Sequence, residues 1–393
     1  MKSKKLGVNT LCTHAGGLKD EQFKGAISPL YMSSSYAYEN VDVKRYPRYF
    51  NTPNQEALSK KIAALEHCEA GMIFGSGMAA ISHSLLAFLH QGDHVVLPMN
   101  LYGGTYNFVV EQFGKYGIEY SFTKGYTEAD FASEIKENTR VLYIETPSNP
   151  LMRITDLAMI GSLGKKHGII TMIDNTFASP VNQNPALFGI DIMIHSATKY
   201  MGGHSDICAG AVAASQEHID TIWSLAKNLG GSLSDYTVWL LERSIKTMGL
   251  RVKAQNRNAR KIARWLHKHP LVARVHYPGL KSHPDRKVAK SQMRGYTGMM
   301  SFELADTLDA ELFMRSLKLI KQSMSLAGIE STILSPAKTS HVLLSEEERL
   351  RQGISNRLLR FSIGIEEKSD IIADLEQAFL IVEKQELESA AMS

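Results

Sequence analysis

The sequence predicts an α/β protein: a large domain on a mostly parallel sheet, then a smaller α+β domain. Three observations predict it. From about residue 55 short apolar runs alternate with helical patterns, the signature of βα units packed into a parallel sheet. Beyond a long amphipathic, Arg- and Lys-rich stretch at 239–269 the alternation gives way to strand-like pieces and a closing helix. A third, the length of 393 residues, exceeds what one hydrophobic core usually serves. The expected division is an extended arm over 1–54, a large domain over 55–244 and a smaller domain over 245–393.

The elements follow in order. Residues 1–50 carry little periodicity and read as an arm. QEALSKKIAALEHCE (55–69) places Leu58, Ile62 and Leu65 at helical spacing. FGSGMAAISHSLLAFL (74–89) joins a short apolar run to a helix through Gly75-Ser76-Gly77. HVVLP (94–98), RVLYIETP (140–147), GIITMID (168–174) and DIMIHS (191–196) read as buried strands, with GTYNFVVEQFGKYG and LAMIGSLGKKHG as helices between them. In the second domain VARVHYPG, GMMSFEL and RLLRFSIGI read as strands and DIIADLEQAFLIVEKQ as the last helix. No internal repeat or low-complexity segment interrupts this order.

Composition narrows the function. Hydrophobic residues make up 44% and charged residues 21%, ordinary for a globular chain. The 44 basic and 40 acidic residues leave a net charge of +4 without a long basic run, which argues against a nucleic-acid footprint or a membrane surface. The opening MKSKKLGVNTLCTHAGG lacks an apolar core for a signal peptide, and no stretch approaches the ~20 apolar residues that span a bilayer. Cys12, Cys68 and Cys208 include no C-x-x-C pair, so a reducing, cytoplasmic compartment is expected. Cys68 and Cys208 lie in apolar patterns and are expected to be buried. The histidines show no ligand spacing, so no metal site is expected. The basic stretch around 251–268 reads as a solvated or interface face.

In a parallel sheet, ligands bind at the carboxyl ends of strands. Four motifs stand there. HSATKYMGGHSD (195–206) puts Lys199 after a buried run, where a lysine can serve as a nucleophile toward a carbonyl, with Ser196 and Thr198 beside it to bind a phosphate. IDNTF (173–177) ends another run in Asp174, a carboxylate that burial penalises unless a cation or donors meet it. Gly75-Ser76-Gly77 opens a helix whose first N–H groups suit a phosphate. Tyr102 of NLYGGTY can stack on a flat ring. Pyridoxal phosphate joins these features, because it brings an aldehyde, a protonated ring nitrogen and a phosphate in one molecule. Gly75, Gly77 and Ala80 also match the dinucleotide pattern G-x-G-x-x-A, but that site wants an acid ending the next strand, and Asp93 precedes HVVLP. A dehydrogenase or an inactive scaffold is separated from a pyridoxal-phosphate enzyme by colour, since only the last is yellow.

With SATKY and the upstream DNT, the chain resembles the Cys/Met-metabolism family of pyridoxal-phosphate enzymes from about residue 10 to about residue 380. The resemblance implies the aspartate-aminotransferase-like fold (fold type I) and pyridoxal 5'-phosphate as cofactor. It implies that Lys199 holds the cofactor aldehyde, that Asp174, supported by Thr176, faces the pyridine nitrogen, and that Tyr102 stacks on the ring and assists proton removal. Gly77, Met78, Ser196 and Thr198 match the phosphate donors, and Asn149 of ETPSNP the residue near the cofactor's phenolic oxygen. Arg360 of LLRFSIGIEE and Ser325 of SLAGIE match the contacts to the substrate α-carboxylate, with Asn149 nearby; a guanidinium fork suits that task. Tyr46 and Arg48 of RYPRYFNTPN match residues that in relatives reach a neighbouring subunit's phosphate, which implies dimers sharing active sites and a homotetramer. This sequence departs from the family where Phe50 replaces a common Gly and Thr52-Pro53 replaces Pro-Thr.

The implied activity is a carbon–sulfur lyase acting on a small amino acid. It cleaves cystathionine by β-elimination (homocysteine, pyruvate, ammonia) or by γ-elimination (cysteine, 2-oxobutanoate, ammonia), with Lys199 as the proton shuttle. Cystathionine γ-synthase and O-acylhomoserine sulfhydrylase stay open as alternatives. Gly104, where methionine γ-lyases usually carry a cysteine, disfavours that activity, and Met324 stands where relatives carry glutamate or tyrosine.

Overall fold

The computed structural model describes residues 6–339, 342 and 345–392. Its larger sheet holds seven strands: β1 (Ala70–Phe74), β2 (His94–Pro98), β3 (Glu119–Thr123), β4 (Thr139–Glu145), β5 (Ile170–Asp174), β6 (Ile192–Ser196) and β7 (Gly210–Ala214), in the order β1-β7-β6-β5-β4-β2-β3. The pairs β3·β2, β2·β4, β4·β5 and β5·β6 are parallel; β7 alone runs against its neighbours β6 and β1. Burial on both faces explains the near-continuous apolar runs, as Val141–Ile144 show with no exposed surface.

The smaller sheet contains β8 (Val272–His276), β9 (Met299–Leu304), β10 (Lys321–Gln322), β11 (Thr332–Leu334) and β12 (Leu358–Ser362), in the order β10-β11-β12-β9-β8. It is antiparallel except for β10·β11. Met300, Phe302, Leu359 and Phe361 pack a separate core with Phe313 and Phe379. The fold is of the aspartate-aminotransferase type, fold type I.

Several expectations need correction. The arm is not wholly extended: α1 (Val8–His14) buries Cys12 and packs against α2 (Pro53–Glu66). The arm's altered motif has local causes. Thr52 caps α2 in a reciprocal capping box with Gln55, and Pro53 occupies the first turn, where a missing N–H leaves nothing unpaired. Phe50 adopts φ 59°, the left-handed region a glycine enters freely, and its ring is held against Phe74 at 5.3 Å. The stretch 239–269 is two helices, Asp235–Ile245 and Met248–Leu266. Its basic face is not all solvated: Arg251 is buried and donates to the carbonyls of Tyr200 at 2.9 Å and Met201 at 3.3 Å, just beyond Lys199. Cys208 is exposed, because it lies in the loop before β7 and faces a cavity, while Cys68 is half-buried. Among the described residues no helix is long and apolar enough to cross a membrane, and no group of three or more His, Cys, Asp or Glu side chains could hold a metal ion.

Candidate active site

Parallel pairing brings the carboxyl ends of β4, β5 and β6 side by side. Glu145 lies opposite Asp174 and Asp174 opposite Ile194. Asp174 is buried, and its carboxylate accepts the N–H of Thr176 at 2.9 Å. Burial raises its pKa, while Thr176, His195 and Lys199 draw it down. The Thr176 hydroxyl accepts the N–H of Ser196 at 2.8 Å, which ties the end of β6 to the turn after β5. Lys199 sits in the turn after β6, where its N–H meets the Ser196 carbonyl at 3.1 Å. Its ammonium donates to Ser325 Oγ at 2.8 Å, and burial, helped by the charge of Arg360, pushes its pKa down to about 8.

The phosphate-type features converge beside that lysine. Helix α3 (Gly77–Phe88) begins at Ser76, whose Oγ accepts the Ala79 N–H at 3.0 Å. The N–H groups of Gly77 and Met78 belong to the first turn, which has no intrahelical acceptors. A Cβ on Gly77 would stand 2.7 Å from Ser196 Cβ, so only glycine lets the helix start lie this close to the end of β6. The Thr198 hydroxyl is engaged by Ala209, donating to its carbonyl at 3.2 Å and accepting its N–H at 3.0 Å.

Opposite, the smaller sheet contributes Arg360 from β12. Its guanidinium is buried and donates to Asn149 Oδ1 at 3.2 Å and to the Ser325 carbonyl at 3.1 Å. Burial pushes its pKa down to about 10. Ser325 stands at φ 75°, a conformation a non-glycine residue holds only when its surroundings fix it. Tyr102 precedes α4 (Gly103–Gln112), with its ring partly exposed and close over Gly104.

These groups line one cavity of about 570 Å³. Of the site residues that the family resemblance implies, it contains all except Tyr46 and Arg48. Tyr46 precedes the single turn Pro47–Tyr49 and Arg48 lies within it, elsewhere on the surface, where the Arg48 guanidinium lies over the rings of Tyr46 and Tyr49 and donates to the Lys227 carbonyl. Sequence reasoning missed Glu145, although ETPSNP contained it: a carboxylate ending one strand beside another carboxylate was the available signal. It also missed the wall made by Met99, Tyr106, Leu334, Thr339 and Gln352, which chain distance hides.

The cavity fits pyridoxal phosphate. It offers an amine lowered toward neutrality, a buried carboxylate within the same strand layer, and a helix start that a single Cβ at Gly77 would obstruct. The model of the family described as Cys/Met metabolism PLP-dependent enzyme matches residues 9–380. Cystathionine gamma-lyase of Bacillus subtilis (strain 168) is 41% identical over 373 residues, 94% of this chain and 98% of the relative. Cystathionine beta-lyase of Lactococcus lactis subsp. cremoris (strain MG1363) is 39% identical over 367 residues, 92% and 96% respectively. The crystal structure of cystathionine gamma-lyase from Lactobacillus plantarum complexed with L-serine superimposes with a TM-score of 0.93 at 36% identity, over 96% of this chain and all of that one.

Proposed function

The chain belongs to the pyridoxal-phosphate-dependent enzymes of cysteine and methionine metabolism, and from that premise we propose that it is a carbon–sulfur lyase acting on cystathionine. One observation carries the reading: a lowered amine (Lys199), a buried carboxylate (Asp174) and a buried guanidinium (Arg360) face a single cavity. When bound, pyridoxal phosphate draws electrons from the substrate's α-carbon into its protonated ring.

In this reading Lys199 binds the aldehyde, Asp174 meets the ring nitrogen, and Gly77, Met78, Ser196 and Thr198 surround the phosphate. Tyr102 covers the ring, and Asn149 lies at its edge. Arg360 and Ser325 hold the substrate α-carboxylate, which fixes the α-hydrogen with respect to the lysine amine. Once the incoming amino group has displaced it from the aldehyde, Lys199, neutral above about pH 8, accepts the α-proton, and its ammonium can pass a proton to the departing sulfur as the carbon–sulfur bond opens. A thiolate on Cβ leaves after that one transfer; a group on Cγ leaves only after a second proton is taken from Cβ.

Tyr46 and Arg48 serve the cavity of a neighbouring copy in this reading. Its support is that they stand outside their own chain's cavity, on an arm that exposes Phe23, Met32 and Tyr38. A homotetramer in the cytoplasm completes the proposal.

The test is to incubate the purified protein with cystathionine, and separately with an O-acylhomoserine plus cysteine. Homocysteine with pyruvate marks β-elimination, and cysteine with 2-oxobutanoate marks γ-elimination. Net formation of cystathionine from the second mixture, with none cleaved in the first, overturns the lyase.

A further inference from the structure

Glu145 is the cavity's other carboxylate, and each of its oxygens accepts a main-chain N–H. It ends β4 with only 4% of its surface exposed, in register with Asp174 on β5. Its Oε2 accepts the backbone N–H of Tyr102 at 2.7 Å, and its Oε1 accepts that of Asn149 at 3.0 Å. The two amides belong to different loops. Tyr102 is the residue before α4, where no side chain caps the helix and 44% of the tyrosine surface is exposed, so its ring direction depends on where its backbone is fixed. Asn149 lies in the loop after β4, and its side chain in turn accepts from Arg360.

We propose that Glu145 is a positioning residue that fixes, from one rigid strand end, both the ring-facing Tyr102 and, through Asn149, the carboxylate clamp of Arg360. Two main-chain donors, one on each oxygen, assign it a positioning part. A carboxylate suits the task, since it offers an acceptor on both sides. A carboxamide offers one acceptor and one donor, so Glu145→Gln loses one of the two anchors however the amide is turned. Glu145→Asp keeps two acceptors on a stem one methylene shorter, which withdraws both from their loops.

The roles of Tyr102 and Arg360 rest on the function proposed above, so the experiment reads the anchors separately. Hydrogen exchange, followed by mass spectrometry on the cofactor-free protein, is compared for the unsubstituted chain, Glu145→Gln and Glu145→Asp in peptides spanning 99–112 and 146–153. Exchange about tenfold faster in one peptide for Gln and in both for Asp, with peptides of β5 and β6 unchanged, is the expected result. In the cofactor-loaded enzyme KM for the amino acid rises about tenfold in Asp, and the pH midpoint of the cofactor's absorbance moves. Unaltered exchange in both peptides for both variants overturns the proposal, as does faster exchange with KM and the absorbance midpoint unmoved. Exchange faster across the whole chain also overturns it, as that marks a general structural role. If the unsubstituted protein binds no pyridoxal phosphate, the functional reading fails, while the exchange data still decide the anchoring.

Discussion

His195 Nε2 stands 2.5 Å from Glu66 Oε1, and both side chains are sealed from solvent. Glu66 also accepts from Asn175 at 2.9 Å, so one carboxylate from α2 grips the chain next to Asp174 and the strand that leads to Lys199. Removing one partner of such a buried pair costs about 3 kcal/mol or more. His195→Ala should therefore lower the unfolding midpoint of the cofactor-free protein clearly, whereas His90→Ala, on the exposed surface, should leave it within about 0.5 kcal/mol of the parent. Denaturant unfolding of the two variants checks this.

The Lys199 amine, pushed down to about 8 from 10.5, is protonated below that pH and free above it. The uptake rate of pyridoxal phosphate by cofactor-free protein should rise with pH and level off above about 8, and a midpoint near 10.5 would contradict it. The unfolded chain holds this proton more tightly than the folded one. The stability penalty of burying the amine is thus present below pH 8 and fades as pH climbs toward 10.5.

Asp174→Asn replaces a buried anion by a neutral amide of the same shape. Pyridoxal phosphate should still bind, while kcat falls by about 10²- to 10³-fold, the scale of losing one preorganised electrostatic contact. Absorbance titration separates binding from turnover, and an unchanged kcat would show that the carboxylate does not meet the ring.

Arg360→Ala removes a fork already aligned by Asn149 and Ser325. KM for the amino acid should rise by more than about tenfold, corresponding to at least ~1.4 kcal/mol. Arg360→Lys should recover only part of that, because an ammonium keeps the charge and loses the paired geometry. Steady-state kinetics with both variants checks the order.

Gly104 lies under the Tyr102 ring: a Cβ there would come 2.6 Å from Tyr102 Cε1. Gly104→Ala should displace the ring and reduce kcat/KM, with overpacking of about 1–3 kcal/mol as the scale. Gly114→Ala, which meets nothing within 4 Å, is the matched control. Equal kinetics in the two variants would show the ring to be dispensable.

Much of this was legible from the chain. HVVLP and DIMIHS are long apolar runs because both faces of β2 and β6 are covered, and their ends carried the lysine and its neighbours. The antiparallel strand β7 was not legible: GAVAA is alanine-rich, with little intrinsic strand preference, and it is a strand because β1 and β6 pair with it on either side. Arg251 was misjudged for a related reason, since helical periodicity cannot reveal that carbonyls of a distant turn await a guanidinium. Cys208 deceived in the opposite sense, its apolar neighbours Ile207 and Ala209 being buried while it faces the cavity. Glu145 needed the register of β4 on β5, which spacing along the chain does not contain.

Lys199 and Asp174 descend from one sheet, whereas Arg360 comes from the other, with Ser325 and Asn149 hydrogen-bonded between them. In the proposed reading, the groups for proton transfer and the clamp for the amino acid are thereby written into separate stretches of the gene. In that reading, variation at Met324 and Leu334, which line the cavity with apolar side chains that make no hydrogen bond to Lys199 or Arg360, could explore new thioethers while leaving those two groups in place.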